Sequence, residues 1–170
     1  MRRHNFIIIY LLMVVVQILI CNYFHLSAYI MLSILPVIIL CLPTKIGTVP
    51  AMLIAFATGL AVDALSEGML GINTLSLVPV AFIRKSMINL IFGNELFERK
   101  DNISIRKFGY GKVSFAILVV QSVFLLIYIY ADGAGTRPLL FNAIRFFLSL
   151  LSGYLLSLLI VDIIASDDRK

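Results

Sequence analysis

Few residues in this chain could do chemistry. Asp63 and Glu67 lie in GLAVDALSEGMLGINTL, residues 59–75, and Lys45 is the only Lys or Arg between Arg3 and Arg84. Intramembrane carboxyl proteolysis needs two aspartates at one depth. Asp63 has no such partner, because Asp132 falls in a connecting loop and Asp162 at the opposite face. Cys21 lies at the outer end of the first apolar run and Cys41 at the inner end of the second, too far apart to bridge. His4 and His25 are separated in the same way and cannot share a metal. There is no G-x-S-x-G elbow, no H-E-x-x-H and no glycine-rich phosphate loop. The expectation is a protein that is not an enzyme, with no catalytic residue, metal or cofactor.

The elements that must position Asp63 follow from composition. Of 170 residues, 61% are hydrophobic and 14% charged, and the mean hydropathy is +1.04. These values belong to a membrane protein. A crossing takes about 20 residues, so the length holds about six spans and no soluble domain. Hydropathy and turn residues place them at 5–21, 26–42, 46–65, 72–92, 113–131 and 138–161, forming a single all-α six-helix transmembrane domain over residues 1–170. No alternation of the kind a membrane barrel needs is present. The first span imitates a secretory signal, but Ile18, Leu19 and Ile20 before Cys21 give a peptidase no small residues, so it reads as an uncleaved helix.

With the N-terminus inside, twelve Lys and Arg residues fall on the inner side, and the outer loops hold only Arg137. The positive-inside rule therefore places both termini in the cytoplasm. The loop at 93–112 is basic, a topology signal that could also meet anionic headgroups. The fourth span is interrupted by Arg84 and Lys85, and its expected course is a continuous helix to Phe92 with both cations snorkelling. Aromatic residues sit within spans rather than among cations, which argues against nucleic acid as a partner.

Residues four apart share a helix face, so Ala51, Ala55, Gly59, Asp63 and Glu67 form one stripe. Arg145, Ser149, Gly153 and Ser157 form a matching one on the sixth span. Small residues let membrane helices approach closely. Packed antiparallel, the stripes would set Asp63 against Arg145, an intramembrane ion pair in the outer half of the bundle. Gln17, Asn73, Gln121 and Asn142 are expected to bond across helices.

Gly59, Asp63, Gly68, Gly71, Asn73 and Leu75 give a helix ending in G-x-x-x-D, a glycine-punctuated turn, and G-x-N-x-L opening the next helix. This segment resembles the signature of the MreD family, the bacterial rod shape-determining membrane proteins. The resemblance implies a multi-pass inner-membrane subunit that partners an MreC-like bitopic protein. Through it the subunit would modulate a RodA-type glycosyltransferase and its penicillin-binding transpeptidase, with the MreB filament on the inner side and membrane lipid around it. The fold it implies resembles the substrate-binding component of energy-coupling-factor vitamin transporters, which is also the rival reading. That rival is expected to dock its transporter through small residues on the first helix, where this chain is bulky throughout.

Overall fold

In a computed structural model, residues 3–23, 30–66, 69–93, 105–133 and 136–167 are described. They form six helices: α1 (Arg3–Tyr23), α2 (Leu35–Leu40), α3 (Thr48–Leu65), α4 (Ile72–Phe92), α5 (Ile105–Gly133) and α6 (Leu139–Asp167). Stretches Thr48–Leu65, Ile72–Phe92, Phe108–Gly133 and Leu139–Val161 are long and apolar enough to cross a membrane, and Ile7–Tyr23 is a shorter apolar helix. Leu53, Phe56 and Leu60 on α3 and Leu151, Leu155 and Leu159 on α6 are exposed. In water such faces would be a liability, but against hydrocarbon tails they carry no penalty.

Chain neighbours pack together: α3 lies chiefly on α4, α4 on α5 and α5 on α6, while α1 rests on α3 and α2. The expected apposition of the third and sixth spans is therefore replaced by two local hairpins, α3–α4 and α5–α6. Short connections make sequential neighbours the first available partners, and the small stripes are used within that arrangement.

The second span departs most from expectation. Among the described residues of this span, 30–42, residues 31–34 are non-helical and only Leu35–Leu40 is helix. Pro36 supplies the reason, since it has no N–H to continue an upstream helix and its ring excludes the carbonyl four residues before. Pro43 then disfavours helix at Leu42. Residues 33–42 are all buried, and the segment touches α1, α4, α5 and α6. Non-helical backbone at membrane depth is tolerated only where protein covers it and supplies its hydrogen bonds. Burying this segment at the centre of the bundle meets both conditions.

The other boundaries move less. α4 runs unbroken from Ile72 to Phe92 through Pro79 and Arg84, as expected. Arg84 does not snorkel, however; it is 3% exposed. α5 begins before the expected 113, with a break at Gly109, where φ is 80°. Asp132 lies in the last turn of α5 rather than in a loop. Most of the basic 93–112 loop lies outside the described residues.

Candidate functional site: the carboxylate knot at the α3–α4 turn

Asp63, 2% exposed, sits in the last turn of α3 and meets the start of α4. Its Oδ1 accepts the backbone N–H of Asn73 (3.1 Å) and the Asn73 Nδ2 (2.9 Å). Oδ2 accepts the N–H of Gly71 (3.0 Å), the N–H of Thr74 (3.1 Å) and the Thr74 hydroxyl (2.9 Å). The opening N–H groups of a helix have no partner within it, and a carboxylate both satisfies them and opposes the positive end of the helix dipole. Gly71 makes the approach possible: at φ 97° it is left-handed, a conformation glycine adopts without the steric penalty of a side chain.

Gly59 lies one turn below Asp63 on the same stripe. A Cβ there would stand 2.6 Å from the Thr74 Cα and 2.8 Å from its N. The α3 and α4 backbones touch at this point, and Ala51 and Ala55 continue the buried stripe. Gly59→Ala is expected to destabilise the fold by about 1–3 kcal/mol, the usual range for overpacking. Because it moves Thr74, a donor to Asp63, its effect should be non-additive with that of Asp63→Asn. Thermal unfolding of the purified single and double variants in detergent checks this, and simple additivity would count against the coupling.

The five sequence-derived signature positions thus have the following fates. Gly59, Asp63, Gly71 and Asn73 come together in one knot, and Gly68, like Glu67, lies outside the described residues. Thr74 supplies two of the five donors and was not singled out by the sequence; its signal was its place in the first turn of α4, one residue after Asn73. Arg145 is not the partner of Asp63. Its Nη1 lies 2.5 Å from Oδ2 of Asp132, which also takes Arg137 at 2.7 Å. Asp132 and Arg145 close the α5–α6 hairpin across its turn, nearer in the chain than any partner on α3.

Gln17, Gln121, Ser149 and Arg84 converge on the broken second segment, whereas Asn142 does not, its buried Oδ1 having no hydrogen-bond partner. Gln17 accepts the N–H of Ile34 (2.8 Å) and donates to the Leu32 carbonyl (3.3 Å). Gln121 Nε2 donates to the Ser33 carbonyl (3.0 Å), and Ser149 Oγ accepts the N–H of Met31 (2.8 Å). Arg84 closes the far end, with Nε donating to the Leu40 carbonyl (3.2 Å) and Nη2 to that of Leu42. Gly153 faces the Gln121 amide with no room for a Cβ, and the Ser157 hydroxyl donates to the Gly153 carbonyl (2.6 Å). The α6 stripe therefore seats a glutamine and a backbone N–H instead of a facing helix.

Chemically, Asp63 is spent. Five donors on two oxygens exceed the four lone-pair sites a carboxylate offers, leaving no free acceptor to take a proton from a substrate. Among the described residues no group of three or more His, Cys, Asp or Glu could hold a metal ion, and both cysteines are free. Fold and site together define an all-helical protein of multi-pass membrane character, knitted by buried polar contacts. Comparison with protein-family models, with curated proteins and with solved structures gives no match.

Proposed function

We infer that the chain is a non-enzymatic membrane subunit of the bacterial cell-elongation machinery, of the MreD type. It partners an MreC-like bitopic protein to scaffold and regulate lateral peptidoglycan synthesis and rod shape, alongside a RodA-type glycosyltransferase, a penicillin-binding transpeptidase and the MreB filament. Its place is the inner membrane, with both termini cytoplasmic and a fold like that of the vitamin-transporter substrate-binding components. The carrying observation is that Gly59, Asp63, Gly71 and Asn73, four of the residues that make up the MreD-like segment, act as one interlocked unit. A saturated carboxylate fits a scaffold better than a catalyst.

Depletion in a rod-shaped host is the test. Cells are expected to round up within a few generations, and a two-hybrid assay should pair the chain with the bitopic protein. Normal rods after complete loss would sink the reading. Loss of uptake of one vitamin with shape unchanged would move the assignment to the transporter component.

A further inference from the structure

We draw no further inference here: the strongest candidate, the apolar depression between α5 and α6 lined by Leu126, Tyr130, Leu139 and Phe147, is an unpartnered apolar face, and nothing in the structure shows what covers it.

Discussion

Asp63→Ala is expected to be the most damaging single substitution in the α3–α4 hairpin, lowering stability by about 3–5 kcal/mol, more than one hydrogen bond to a charged group (about 1.5–3 kcal/mol), because five donors lose their acceptor together. The physical cost lies in what remains. Three backbone N–H groups, a carboxamide and a hydroxyl would face a cavity, each unsatisfied donor worth about 1–3 kcal/mol. The sum exceeds the expected loss, because the first turn of α4 can fray and recover part of it. Asp63→Asn keeps the shape but turns an N–H₂ toward donors that need an acceptor, so about half the damage should persist. Thermal unfolding in detergent ranks wild type above Asn and Asn above Ala. An asparagine variant as stable as wild type would mean that the charge contributes nothing and that the knot is held by shape alone.

The residues of the knot were legible because helical periodicity and turn glycines are written in side chains. The nature of the Asp63 partner was not, since three of its five donors are backbone groups, which every sequence has and none spells out. Reading Asp63 as a charge in search of an opposite charge pointed to Arg145, at a matching register on another small-residue stripe. Two physical facts decide otherwise. A helix start eight to eleven residues downstream is the nearest source of unpaired N–H groups, and Arg145 finds Asp132 across one tight turn. In both cases the closer partner in the chain wins, as loop closure favours.

The break in the second span was also written in the sequence, in Pro36, yet hydropathy alone cannot separate a spanning helix from a buried irregular run. Gln17 and Gln121 looked like cross-helix bonds between regular elements. Their targets are instead the N–H and carbonyl groups that Pro36 strands at Leu32, Ser33 and Ile34. Mid-span polar residues and a mid-span proline are thus two halves of one device, and each is misread when considered without the other.

Arg84 ends that device, and Arg84→Leu should separate two properties that usually move together. Arginine at a helix centre costs about 2.5–3.5 kcal/mol on insertion scales, so leucine should make α4 enter the membrane more readily. In the folded bundle the same change removes the donors to the Leu40 and Leu42 carbonyls, which no water reaches at a residue 3% exposed. Two orphaned acceptors at about 1–3 kcal/mol each outweigh the relief of no longer burying a cation, whose charge is already met by carbonyl dipoles. A net loss of about 2 kcal/mol is expected. Arg84→Lys should fall between, because an ammonium can reach one carbonyl but lacks the planar fork that spans both. A glycosylation-based insertion assay read beside detergent unfolding resolves the two effects. If leucine raised insertion and stability together, Arg84 would be a topology signal that happens to be covered; insertion up and stability down assigns it to holding the broken segment at the centre of the fold.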